Sequence, residues 1–216
     1  MGTVGVQKSK VNDFKCGEKK MVTYDSTNES LAAIVAGMDA QPEDRILAIC
    51  GSGDQAFALL EYSREVVAVD SDQSQIAYAQ KRKEALEQGN IRKFLGGYFH
   101  HQKNYFKAEG RLEKIREKLH FLDFRHADLL NILAQKQFTK YYFSNIFTYT
   151  STDLSYISRV ANALPESALV YIAFKGGWRP PLPATLIKDQ ELTQKAQSLE
   201  DKTDDPWLPE VFRKVQ

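Results

Sequence analysis

The sequence predicts an α/β fold, a doubly wound and mostly parallel sheet with an N-terminal helix and a helical insertion. Three observations predict it. Short unbroken apolar runs recur, Ile46-Leu47-Ala48-Ile49-Cys50 and Val66-Val67-Ala68-Val69, as in strands buried on both faces. Segments with apolar residues at helical spacing separate such runs. A glycine-bearing turn, Gly51-Ser52-Gly53, joins the first run to the segment after it. Strand, turn, helix, strand is the opening of a doubly wound sheet.

Each element has its own signal. Ser26-Thr27-Asn28-Glu29 reads as a capping box, and Leu31, Ile34, Val35 and Met38 follow at helical spacing. Pro42 stops that helix. The first strand is expected over 46–50, a helix over 56–62, a strand over 65–69 and a helix over 72–88. Residues 90–119 break the rhythm as a basic, aromatic insertion that ends in a helix marked by Leu112, Ile115 and Leu119. Strands are expected over 121–127, 140–147 and 168–174, with helices over 129–135 and around Leu154, Ile157, Ala161 and Leu164. Gly176, Gly177 and Pro180, Pro181 and Pro183 close the alternation. A polar helix over 189–199 and an edge strand over 210–215 finish the chain.

Composition narrows the class. The 216 residues fit one domain over 21–216, preceded by a flexible basic arm over 1–20. Twelve Phe and ten Tyr supply core mass, which excludes global disorder. No apolar run reaches the roughly 20 residues of a membrane span. The arm has no apolar stretch of a secretory signal. Two cysteines are too few for a disulfide scaffold or a zinc site. A cytoplasmic protein is expected. The net charge of +1 predicts no nucleic-acid partner, but it averages opposed segments. Residues 81–118 carry eleven Lys/Arg against five Glu, and residues 186–210 carry seven acids against three Lys. These read as solvated faces, or as a basic surface for an anionic acceptor or a peripheral membrane contact.

The chemistry centres on the glycine turn. Missing side chains allow a tight turn and close approach of a ligand to the backbone. The helix that follows offers free N–H groups. Asp70 ends the next strand, where its carboxylate can accept from both ribose hydroxyls of an adenosine. Gly51 to Ala56 also fits the Gly-x-Gly-x-x-Ala pattern of nicotinamide and flavin dinucleotides. Two features favour S-adenosylmethionine. Asp54 puts a negative charge where a pyrophosphate would be repelled and where a methionine ammonium would be attracted. Phe124-Arg125-His126-Ala127-Asp128-Leu129 is similar to the strand, Asp and apolar element that holds adenine in S-adenosylmethionine-dependent transferases. Asp128 would accept from the adenine amino group, or cap the helix after it.

The first motif, Ile46 through Ala56, resembles that of the S-adenosylmethionine:diacylglycerol 3-amino-3-carboxypropyl transferases of betaine-lipid synthesis and their relatives, the DUF3419 group. That family's motif carries Gly-Asp-Asn; here it reads Gly53-Asp54-Gln55. Ordinary methyltransferases place an acid where Ala48 stands and a third glycine near Asp54, and this chain has neither. Tyr24 through Glu29, Ala68 through Gln75, residues 91–97 and Ser144-Asn145-Ile146-Phe147 resemble further segments of that family, and Glu191-Leu192 and Val211-Phe212 do so more weakly. The resemblance implies a Rossmann-like fold of class I methyltransferase type. It implies transfer of the aminocarboxypropyl group to a small-molecule or lipid acceptor, with methyl transfer as the alternative. A dinucleotide oxidoreductase and a non-catalytic cofactor-binding module remain open. The expected cofactor residues are Cys50, Gly51, Ser52, Gly53, Asp54, Asp70, Ser71, Asp128, Leu129, Ser144 and Asn145, with Tyr24 as the catalytic candidate. His126 and the His100-His101 pair are further bases. Phe94, Tyr98, Phe99, Tyr105 and Phe106 either line the acceptor pocket or pack the insertion onto the sheet.

Overall fold

The computed structural model describes residues 22–96, 104–135, 137–149, 153–175, 179–200 and 207–216. The arm at 1–20, Tyr98, Phe99 and the His100-His101 pair lie outside them.

Five parallel strands alternate with helices in the expected order. They are β1 (Arg45–Ile49), β2 (Glu65–Asp70), β3 (Leu122–His126), β4 (Lys140–Ser144) and β5 (Leu169–Lys175). The helices are α1 (Leu31–Met38), α2 (Asp54–Leu60), α3 (Gln73–Glu87), α4 (Ile91–Phe94), α5 (Arg111–Glu117), α6 (Leu129–Leu133), α7 (Ile146–Tyr149), α8 (Leu154–Ala163) and α9 (Gln190–Ser198). Two antiparallel strands complete the sheet, β6 (Leu186–Lys188) and β7 (Trp207–Lys214). The strand order is β3-β2-β1-β4-β5-β7-β6.

Strand alternation divides the core into two layers. In β5, Leu169, Tyr171 and Ala173 face one layer while Val170, Ile172 and Phe174 face the other. The first layer lies under α1 to α5 and α9, and the second under α6 and α8. Gly37 lets α1 come close to the sheet: a Cβ there would lie 2.8 Å from the Tyr171 ring and 3.0 Å from Ala196 Cβ.

Three expectations change. The capping box does not form: Ser30 caps α1 by accepting from the Ala33 N–H, which frees Glu29 to point elsewhere. The fourth strand stops at Ser144, because the chain turns into α7 two residues later. The last strand is longer than 210–215 and is not an edge. It lies between β5 and β6, and the unexpected three-residue β6 forms the border.

Candidate functional site

The strand order reverses between β1 and β4, since β2 and β3 lie to one side of β1 and β5 to the other. The crevice beyond the strand ends at such a switch point is where open α/β sheets hold ligands. Two neighbouring clefts, open to solvent, occupy it. Tyr24, Ile49, Asp70 and Asn145 line both.

The first cleft runs along the glycine turn. Gly51, Ser52 and Gln55 form one wall, Ser26, Thr27 and Asn28 another, and Tyr142 and Ser144 a third. Gly53 has φ 87 and N-caps α2, a conformation that favours glycine, and a Cβ there would lie a tight 3.1 Å from Ala79 Cβ. Gln55 Nε2 donates to the carbonyls of Ile49 and Cys50, at 2.7 Å each, and braces the end of β1. Gln75 reaches from α3 to donate to the carbonyls of Gly51 and Tyr24, while its Oε1 accepts from the Tyr24 N–H. One side chain thus clamps the segment before α1 to the turn.

Asp54 does not offer a free charge to a ligand, contrary to the expectation. It is 2% exposed and lines neither cleft. Its Oδ1 pairs with Arg82 Nη2 at 2.6 Å, and its Oδ2 accepts from the Thr27 N–H and the Ser52 hydroxyl. Arg82 also donates to the carbonyls of Ser52 and Phe94, and its guanidinium stacks over the rings of Phe57 and Phe94. The pair is a buried fastener joining the turn, α3 and α4. Cys50 likewise lines neither cleft. Its thiol is in the core, and burial, reinforced by Asp70, pushes it well above the ordinary thiol range.

The second cleft is lined by Asp70, Ser71, Ala127, Asp128, Leu129, Ile146 and Tyr156. Asp70 accepts from the Gly51 N–H at 3.0 Å and the Asp72 N–H at 2.9 Å. Burial raises its pKa, with those backbone donors and Ser71 pulling it back. Asp128 caps α6 through the Leu130 N–H, at 2.8 Å, and still borders the cleft. His126 is exposed, with Nε2 3.0 Å from the Ser71 carbonyl, where it braces the loop. Phe94 and Phe106 are buried and pack edge-on against each other, and with Tyr105 they line neither cleft. These three pack the insertion rather than an acceptor pocket.

The structure therefore brings together Tyr24, Gly51, Ser52, Asp70, Ser71, Asp128, Leu129, Ser144 and Asn145, and sets Cys50, Gly53 and Asp54 behind them. Sequence reasoning missed Arg82, Gln55, Tyr142 and Glu29. Arg82 is hidden in a run of surface cations, and Glu29 in a helix-cap pattern.

No protein-family model matches the chain. No curated protein matches it. Solved structures do. TrmN from Thermus thermophilus aligns with a TM-score of 0.52 at 18% identity, covering 86% of this chain and 48% of that one. The rRNA methyltransferase aviRa from Streptomyces viridochromogenes has a TM-score of 0.49 at 18% identity, covering 83% and 79%. The N-methyltransferase NodS from Bradyrhizobium japonicum WM9 has 0.49 at 11%, covering 86% and 94%. The chain spans about half the length of the first. The antiparallel β7 between β5 and β6 departs from the all-parallel 3-2-1-4-5-6 order of the dinucleotide-binding folds. The likeness is one of fold, and the fold is the Rossmann-like class I methyltransferase fold.

Proposed function

We propose that the chain is an S-adenosylmethionine-dependent methyltransferase whose cofactor takes the two neighbouring clefts. The observation that carries the reading is the pair of carboxylates at consecutive strand ends. Asp70 ends β2 and Asp128 lies two residues beyond β3, and both border the second cleft at the switch point of this fold. Asp70 would accept from the ribose hydroxyls and Asp128 from the adenine amino group. Ser71 and Leu129 would flank the nucleoside. The methionine half would take the first cleft beside Gly51, Ser52, Ser144 and Asn145.

The bound cofactor supplies a carbon already activated by its sulfonium. The chain's part is to bind, orient and exclude water. Tyr24 borders both clefts, and the Gln75 clamp holds its backbone there. Tyr24 is the candidate for orienting the acceptor.

A second reading is aminocarboxypropyl transfer to a small-molecule or lipid acceptor. The first-motif resemblance around Gly53-Asp54-Gln55 favours it. Asp54, the charge expected to favour S-adenosylmethionine over a dinucleotide, is balanced by Arg82 and favours neither transfer. Methyl transfer is the leading reading because the fold is the class I methyltransferase fold.

Calorimetry tests the cofactor. S-adenosylmethionine and S-adenosylhomocysteine are expected to bind and NAD not to; absence of heat with the first two overturns the reading. By-products then separate the transfers, S-adenosylhomocysteine for methyl and methylthioadenosine for aminocarboxypropyl. The acceptor panel spans small molecules, lipids and RNA. Vesicle flotation with anionic lipid tests the basic insertion as a membrane contact.

A further inference from the structure

Behind the first cleft lies a carboxyl that the proposed function does not use. Glu29 is 1% exposed, and its Oε1 accepts hydrogen bonds from the Tyr142 hydroxyl, at 2.9 Å, and from the Ser144 hydroxyl. Both hydroxyls belong to residues that line the cleft. Ser144 has φ 51, a left-handed conformation for a residue with a side chain, at an irregularity in the β4–β5 pairing. Such strain persists only where the surroundings impose it, and it clusters at functional sites. Here it accompanies a hydroxyl that both borders the cleft and meets a buried carboxyl.

Burial pushes the Glu29 carboxyl up to about 7, and the hydrogen bonds from Ser144 and Tyr142 offset this only in part. The Tyr142 and Tyr171 phenols beside it are both held well above their ordinary range by burial and then by Glu29. Tyr171 also feels Glu200. A group poised near neutrality suits proton transfer at ordinary pH.

We propose that Ser144 and Glu29 form a proton relay for the acceptor, an inference that rests on the transferase reading. The acceptor's nucleophilic atom forms a bond to the carbon beside the sulfonium, and that carbon's bond to sulfur breaks. The sulfur leaves as a neutral thioether with the electron pair. The nucleophile's proton passes to Ser144 Oγ as the Ser144 proton passes to the ionised Glu29. Charge balances, since sulfonium and carboxylate are neutralised together. Ser144 is the group that touches the acceptor, and Glu29 acts through it.

Two measurements on the full chain test this. Infrared titration without ligand reads the carboxylic-acid carbonyl stretch. The wild type is expected to keep a protonated-acid band to near pH 7, and Glu29→Gln to lack it. No such band above about pH 5 overturns the relay. By-product release from S-adenosylmethionine, with water as the acceptor, is the second. The wild-type rate is expected to rise with pH and level off above about 7. Glu29→Gln should be about 100-fold slower with that step lost, and an unchanged rate and pH profile overturns the relay. Should Glu29→Gln fail to fold, Ser144→Ala carries the same test, because it removes the link while Glu29 remains. Absence of S-adenosylmethionine binding to the wild type overturns the transferase reading and the relay with it, even where the infrared band is as expected.

Discussion

Burial holds the Glu29 carboxyl at about 7 against an ordinary value of 4.5, so the folded chain keeps this proton more tightly than the unfolded chain does. Between those two pH values the folded state binds more protons. Its stability therefore falls as pH rises through the window and falls no further above it. Glu29→Gln removes the titration and keeps an acceptor oxygen for Tyr142 and Ser144. The variant is expected to gain roughly 3 kcal/mol on the wild type between pH 4.5 and pH 8, which urea denaturation at the two pH values measures. Asp70 has a different role. Its carboxylate ties Gly51 and Asp72 together by their N–H groups and borders both clefts. Asp70→Ala is expected to weaken S-adenosylmethionine binding ten-fold or more, from about 1.5–3 kcal/mol of charged hydrogen bonding. Calorimetry checks it, and unchanged affinity removes Asp70 from the ribose role.

Elements are held in place around the site by a few long-range side chains. Arg82 joins α3 to the glycine turn and to α4 through one ion pair, two carbonyls and the faces of Phe57 and Phe94. With side chains 6% and 3% exposed, neither ion can be hydrated if its partner is lost. Arg82→Met is therefore expected to cost about 3–5 kcal/mol. Adding Asp54→Asn should recover part of that loss, because the stranded charge goes with it. Thermal denaturation of the two single variants and the double variant measures the coupling. None of this was legible in the sequence. Arg82 and Asp54 are 28 residues apart, and Arg82 stands among Lys81 and Lys83 like any surface cation. The helix itself was legible: expected over 72–88, it runs from Gln73 to Glu87 with Asp72 as its N-cap.

At the scale of the whole molecule, the chain after β5 completes the sheet. Seven residues of β5 pair with β7, from Leu169 opposite Arg213 to Lys175 opposite Trp207. The helix between β6 and β7, α9, packs with α1 in the first core layer. Truncation after residue 175 would bare the long apolar edge of β5, a template for pairing between chains. The shortened chain is expected to aggregate and to lose cooperative unfolding, as size-exclusion chromatography and thermal circular dichroism would show. Among the described residues no helix is long and apolar enough to cross a membrane.

What the sequence determined by itself is the alternation of strands and helices, the glycine turn and the acids at the ends of β2 and β3. Those signals are local: a strand buried on both faces must be apolar throughout, and a turn with φ 87 favours glycine. Tertiary structure alone decided what each buried charge meets. Asp54 sits in the motif yet is neutralised by Arg82, while Glu29 sits outside it yet reaches Ser144, 115 residues away, at the cleft wall. The three-residue β6 and the interior position of β7 were decided in the same way, by pairing across the sheet. The physical reason is common to all of them. Burial and pairing set the charge state of a side chain and the place of a short strand, and both depend on neighbours that the chain brings together only by folding.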